Sequence, residues 1–208
     1  MVAVHIDQGA RGLIALLTRA LALDAQAVAR VQEVGEGQLD VFVTTPFDAI
    51  ASRRTFGSTT HPGAAVNAKA LLDALRERTD EVGPARDAAW PGALPPAGGF
   101  AAREEVPVGV ARRLADEGRN LARQFSGPAG PPRSLLDGVV LTADAESAHP
   151  VEIPMRMIFA CTALGLIPGF EAPAEIPRHL RVATAGSWVR LDAPFGSVYR
   201  SARPNLLF

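Results

Sequence analysis

The stretch 154–164, Pro-Met-Arg-Met-Ile-Phe-Ala-Cys-Thr-Ala-Leu, is apolar on nearly every side, with Arg156 and Thr162 as its polar interruptions. An ordinary surface helix hides one stripe. A helix that is apolar all round has to be enclosed by other elements. The chain is therefore expected to build its core around this segment. Gly165 and then Pro168 mark where the helix should stop.

The surrounding sequence supplies both helical and extended patterns. Asp7 opens a predicted first helix that reaches Leu23, with Leu13, Leu16, Leu17, Ala20 and Leu21 as its stripe. Runs 27–34, 39–44 and 47–56 read as strands joined by the turn signals Gly35-Glu36-Gly37 and Thr45-Pro46-Phe47-Asp48, an antiparallel meander. Thr60 or His61 is expected to cap a second helix through Arg78, with Ala65, Ala68, Leu71, Leu72 and Leu75 buried. Pro84, Pro91, Pro95 and Pro96 break every period between residues 79 and 103. Trp90, Leu94 and Phe100 in that segment predict packing on the core, because exposing such groups is costly.

The clearest amphipathic helix is predicted over 106–125, stopped by Gly127-Pro128. Ser134 and Asp137 read as a capping pattern, while Val139-Val140-Leu141 reads equally as a strand, so 134–142 stays open between the two. Runs 180–184, 188–192 and 197–201 predict a second meander. The expected fold class is α+β: two small antiparallel β-meanders packed with four to five helices, the apolar helix at 154–164 in the centre. The expected organisation is a lobe at 1–79 in the order α-β-β-β-α, a Pro/Gly-rich ordered crossover at 80–104, and a helical lobe at 105–208 ending in a β-meander.

Charge and cysteine use narrow the function classes. The formal net charge is −1, which disfavours a general affinity for nucleic acid or an anionic membrane. Lys69 is the one lysine among 21 basic residues, a bias that points to a GC-rich genome. Cys161 is the sole cysteine, so no disulfide forms within the chain, and a reduced thiol suits a cytoplasmic location. No apolar run is long enough to span a bilayer, so no membrane partner is expected.

The segments Ala89-Trp90-Pro91-Gly92-Ala93-Leu94-Pro95-Pro96, Gly130-Pro131-Pro132-Arg133-Ser134-Leu135-Leu136-Asp137 and Phe195-Gly196-Ser197-Val198-Tyr199-Arg200 resemble those of uncharacterised hypothetical proteins from GC-rich bacteria. The resemblance implies a cytoplasmic bacterial protein. It brings no activity, cofactor or catalytic residue with it.

No motif for metal, nucleotide or nucleophile chemistry stands out. His5, His61, His149 and His179 form no HxH or HxxxH pair, and no GxSxG, GxGxxG or P-loop occurs. No catalytic residue, metal ligand or cofactor is therefore assigned. Arg53 and Arg54, followed by Ser58, Thr59 and Thr60, form a candidate anion site, since guanidiniums and hydroxyls ahead of a helix suit phosphate or carboxylate. Trp188, Arg190, Tyr199 and Arg200 form a candidate interface, since aromatic and arginine side chains are favoured there.

The expected function is a non-catalytic cytoplasmic protein-interaction or homodimeric module, with self-association or a protein partner. The alternative is an enzyme or small-molecule binder of anionic phosphate or carboxylate metabolites. A winged-helix DNA binder ranks below both, because its third helix would carry Arg156 alone among bulky apolar groups.

Overall fold

The computed structural model describes residues 1–125, 131–169 and 171–201. The expected helix stop at Gly127-Pro128 lies outside these residues. The chain divides into two compact units, Met1–Ala97 and a second that begins at Gly98.

The first unit opens with a strand where helix was expected. β1 covers Val2–Gln8, burying Val2 and Val4 by alternation. Gly9 then turns the chain with φ 89° into α1, Ala10–Leu23. Leu13, Leu16, Leu17 and Ala20 form its buried stripe. Each such leucine contributes about 1.5–3 kcal/mol of burial energy, enough to fasten α1 to the sheet beneath.

The predicted meander is present as β2 (Val28–Gly35), β3 (Gln38–Thr44) and β4 (Ile50–Thr59). It does not stop there. β5 (Ala65–Asn67) pairs with β2, β1 pairs with β4, and β6 (Glu81–Gly83) pairs with β1. The strand order within this unit is β5-β2-β3-β4-β1-β6, all antiparallel.

α2 begins later than predicted, at Ala68, and ends at Glu77. Its cap is Asn67, whose side-chain oxygen accepts from Lys69 N at 2.9 Å and Ala70 N at 3.0 Å. Arg78 closes it in the left-handed region. α1 and α2 pack together against the sheet. Trp90 is buried, with the Arg30 guanidinium 5.8 Å from its ring centroid, so this part of the Pro/Gly-rich stretch is packed as expected.

The second unit starts with β7, Ala101–Pro107, which leads directly into α3, Val108–Phe125. The segment 134–142 holds both elements in turn: α4 covers Arg133–Asp137 and β8 covers Val139–Ala143. β8 pairs with β9, Val151–Pro154, in a separate ribbon. α5 follows at Met155–Ala163, buried from Met155 through Cys161. Beneath it lie β10 (His179–Ala185), β11 (Trp188–Ala193) and β12 (Gly196–Ser201), and β7 extends this meander to the order β12-β11-β10-β7.

Gly118 lets α3 approach α5 closely: a Cβ there would fall 2.7 Å from the Met155 Cε. α3 buries Val108, Ala111, Ala115 and Gly118, and leaves Leu121 and Phe125 exposed. Cys161 is fully buried, and burial pushes its thiol pKa well above the ordinary value.

The expectation of two small meanders is thus corrected. The three-run pattern is the centre of a six-strand order in the first unit and part of a four-strand order in the second. The added strands escape sequence patterning for physical reasons. β5 and β6 have 3 residues each, too few to show alternation. β7 reads Ala-Ala-Arg-Glu-Glu-Val-Pro and buries only Val106, so no apolar rhythm marks it. No helix among the described residues is long and apolar enough to cross a membrane.

Candidate functional site

β4 positions the candidate anion residues, and strand alternation sends Arg53 and Arg54 to opposite faces. Arg54 is engaged by its cross-strand neighbour. Its Nε donates to Asp40 Oδ1 at 2.8 Å and its Nη2 to Asp40 Oδ2 at 2.7 Å, a bidentate pair with a buried carboxylate. Arg53 lies against α1, its Cζ 2.2 Å from where a Cβ at Gly12 would stand. Burial lowers its pKa from the ordinary arginine value, while the group stays charged at physiological pH.

The hydroxyls end β4 rather than open a helix. Thr59 Oγ1 donates to Ala3 O at 3.0 Å, and Thr60 Oγ1 accepts from Ala3 N at 2.9 Å. Ser58 faces His5 in the β1–β4 register. The structure therefore places Ser58, Thr59 and Thr60 along β1, away from the α2 N-terminus, and does not gather them with both arginines.

The candidate interface residues also divide. Arg190 and Tyr199 are cross-strand partners and share Phe100: the Arg190 Cζ is 4.2 Å from its ring centroid, and the Tyr199 ring meets it edge-on at 6.0 Å. Tyr199 is buried. Trp188 and Arg200 instead line a pocket of the second unit.

Local motifs do not register the charge that the four longer helices carry as a set. α1, α2, α3 and α5 hold nine basic side chains: Arg11, Arg19, Lys69, Arg76, Arg112, Arg113, Arg119, Arg123 and Arg156. Their acidic residues are Asp73, Glu77, Asp116 and Glu117. The balance is +5 in a chain whose net charge is −1, so everything else sums to −6.

α1 has no acidic residue, and its outward residues Arg11, Ala15, Thr18, Arg19 and Ala22 are all exposed. Arg76 reaches across from α2 to donate to Thr18 Oγ1 at 3.2 Å. On α3, Arg113, Arg119 and Arg123 are exposed, and Arg112 donates to the Pro168 carbonyl. Lys69 and Arg119 have close carboxylates in Asp73 and Asp116, both at 2.5 Å. Arg11 and Arg113 have no ion-pair partner among the described residues. Small neighbours and long cations make the α1 face one that phosphate oxygens can approach. A helical projection of residues 10–23 would have found it. Among the described residues no group of three or more His, Cys, Asp or Glu is arranged to hold a metal ion.

The family described as domain of unknown function (DUF8185) matches residues 95–205. The chain belongs to this family. A second family, domain of unknown function (DUF8010), matches residues 3–92, so the two matches meet near the division between the structural units of this DUF8185 protein. No curated protein matches the chain.

Solved structures do match. The β sliding clamp of Caulobacter crescentus is 14% identical, with a TM-score of 0.59 over 97% of this chain and 65% of that one. The DNA polymerase sliding clamp from Pseudomonas aeruginosa gives 14% and 0.57, over 100% and 66%. The DnaN sliding clamp (DNA polymerase III subunit beta) from Bartonella birtlesii, bound to griselimycin, gives 13% and 0.57, also over 100% and 66%. The DUF8185 chain thus has a sliding-clamp-like fold and spans 65% of the Caulobacter clamp.

These likenesses overturn the functional expectation of a non-catalytic cytoplasmic interaction or homodimeric module, together with its anionic-metabolite and winged-helix alternatives. The winged-helix order fails on the structure itself. The β8–β9 ribbon separates α4 from α5, and α5 is buried rather than presented to a groove.

Proposed function

We propose that the protein is a clamp-type subunit that associates with duplex DNA through the basic faces of its helices, without reading base sequence. The observation that carries this is the charge separation, +4 on α1, α2 and α3 against −5 elsewhere, with α1 free of any acidic group. A net charge of −1 repels DNA only if it is spread evenly. Concentrated on helices, the cations can engage phosphates while the acidic remainder limits unspecific adhesion. Arginine contacts to the backbone position a protein on DNA and carry no sequence information.

This chain spans 65% and 66% of two matched polymerase clamps, and a clamp-type role calls for an assembly around the duplex. Self-association is therefore part of the proposal. The preference for arginine over lysine and the single cysteine support a bacterial cytoplasmic setting for it.

The test is fluorescence anisotropy of a duplex of about 30 base pairs, titrated across a salt series. Two duplexes of unrelated sequence should bind alike. Replacing Arg11, Arg19 and Arg113 by Gln should weaken both at least about tenfold, and should flatten the salt slope by roughly 0.9 for each phosphate no longer neutralised. Protein retained on a closed plasmid and released when it is linearised would support encirclement. Absence of binding at low salt, or binding unchanged in the triple variant, overturns the proposal.

A further inference from the structure

Arg76 stands in the last turn of α2, and its guanidinium crosses to α1, where Nη2 donates to Thr18 Oγ1 at 3.2 Å. We propose that Arg76 is a further phosphate contact of the DNA face, and that Thr18 is the residue that positions it. Such a role presupposes DNA association and carries the contact surface from α1 onto α2.

An exposed cation on a helix ordinarily settles on a carboxylate three or four residues away. For Arg76 that carboxylate on α2 is Asp73, and Lys69 holds it at 2.5 Å. Arg76 has no ion-pair partner among the described residues. α1, which it reaches instead, carries no acidic group. A hydroxyl accepts one N–H and leaves the positive charge uncancelled. The guanidinium has five N–H donors, so most of them stay open to phosphate oxygens.

Thr18 is exposed on the outward side of α1, beside Arg19 and between Ala15 and Ala22. Arg11 lies seven residues before it, about 10 Å along the helix axis. α1 thus shows one cation near its start and two, Arg19 and Arg76, further on. Ala15 and Ala22 are too short to hold a phosphate backbone away. The surface keeps its sign when the carboxylates are counted. α1 and α2 bear Arg11, Arg19, Lys69 and Arg76 against Asp73 and Glu77, a surplus of two positive charges. Thr18 adds no charge of its own. It narrows the rotamers of a side chain that would otherwise lose that freedom on gripping a phosphate, which is how positioning strengthens binding.

The test uses the full chain and a fluorescein-labelled duplex of about 30 base pairs, followed by anisotropy across a salt series. Arg76→Gln should weaken binding at least about fivefold and flatten the salt slope by roughly 0.9, the share of one phosphate. Thr18→Val should weaken it about threefold, with the urea midpoint unchanged. Thr18→Ser keeps the hydroxyl and should bind like the wild type, which a packing role for the methyl group would not allow. In the Arg76→Gln background Thr18→Val should have no further effect, because Thr18 acts through Arg76 alone. Wild-type binding in Arg76→Gln, full binding in Thr18→Val, a Thr18→Ser variant as weak as Thr18→Val, or a Thr18→Val loss that persists without Arg76 overturns the proposal. These failures are separate from those of DNA association itself. If Arg11→Gln, Arg19→Gln and Arg113→Gln together weaken binding and Arg76→Gln does not, DNA association stands and the role of Arg76 falls. Absence of binding at low salt removes both.

Discussion

Asp137, 51% exposed, sits 2.5 Å from the guanidinium of Arg156, whose side chain is 6% exposed. The two ends of this ion pair therefore stand in different dielectric surroundings. Removing the carboxylate leaves a buried cation short of its near partner, whereas removing the cation leaves a carboxylate that water can solvate. Asp137→Ala is expected to cost about 3 kcal/mol, and Arg156→Met no more than about 1 kcal/mol. Urea unfolding of the two variants checks the asymmetry, and equal losses would refute it.

Gly57 faces a harder limit. It pairs with Ile6 across the β1–β4 ladder, and a Cβ on it would fall 2.0 Å from the His5 carbonyl oxygen. Neither backbone can move without opening the ladder. Gly57→Ala should destabilise by at least about 3 kcal/mol. Gly37 is the control: its φ is +66° and nothing stands within 4 Å of a Cβ there. Gly37→Asn, a residue that tolerates the left-handed region, should cost less than about 1 kcal/mol. Thermal melts that fail to separate the two variants would remove the steric argument.

His5 joins the middle of β1 to Asp80, the residue just before β6. Its Nδ1 is 3.0 Å from Asp80 Oδ1 and its Nε2 is 3.2 Å from Asp7 Oδ1. The hydrogen bond and charge of Asp80, then those of Asp7, raise its pKa above the ordinary 6.5. A raised histidine pKa means that the folded state holds the proton more tightly. The contribution is complete below the unfolded value and is lost as pH climbs through the folded one. Stability should therefore decline from about pH 6 upward through this window, and His5→Ala should flatten that part of the profile. A wild-type and variant pair with parallel pH–stability curves would contradict this.

Periodicity revealed the elements that bury a full stripe or alternate over enough residues. α1, α5, β2, β3 and the terminal meander all have that property, and each appears close to where the pattern put it, whereas α2 ends near its expected place but starts only at Ala68 because Ala65–Asn67 is taken up by β5. β1 alternates too, at Val2 and Val4, in a stretch that the reading of Asp7 as a helix start left unassigned, whereas β5, β6 and β7 do not. They are short or polar, and they exist because a neighbouring strand offers hydrogen-bonding partners at long range. Ala65 joins Arg30, and Val2 joins Gly83, through separations that no local window covers. The same limit hid the site. Arg53 and Arg54 are adjacent in sequence, yet the pleat sends one onto Gly12 and the other onto Asp40. Arg156 and Asp137 lie 19 residues apart and meet only once α4 and α5 are packed. The helix cations were each visible, but their collective excess appears only when the elements are summed separately from the rest of the chain.

The sealed position of Cys161 turns the molecule into its own gauge of opening. With one sulfhydryl per chain, held away from solvent and kept protonated, a maleimide or disulfide reagent has nothing to attack until the heart of the second unit parts. The speed of labelling then counts those partings directly, without any dye or tag being engineered in.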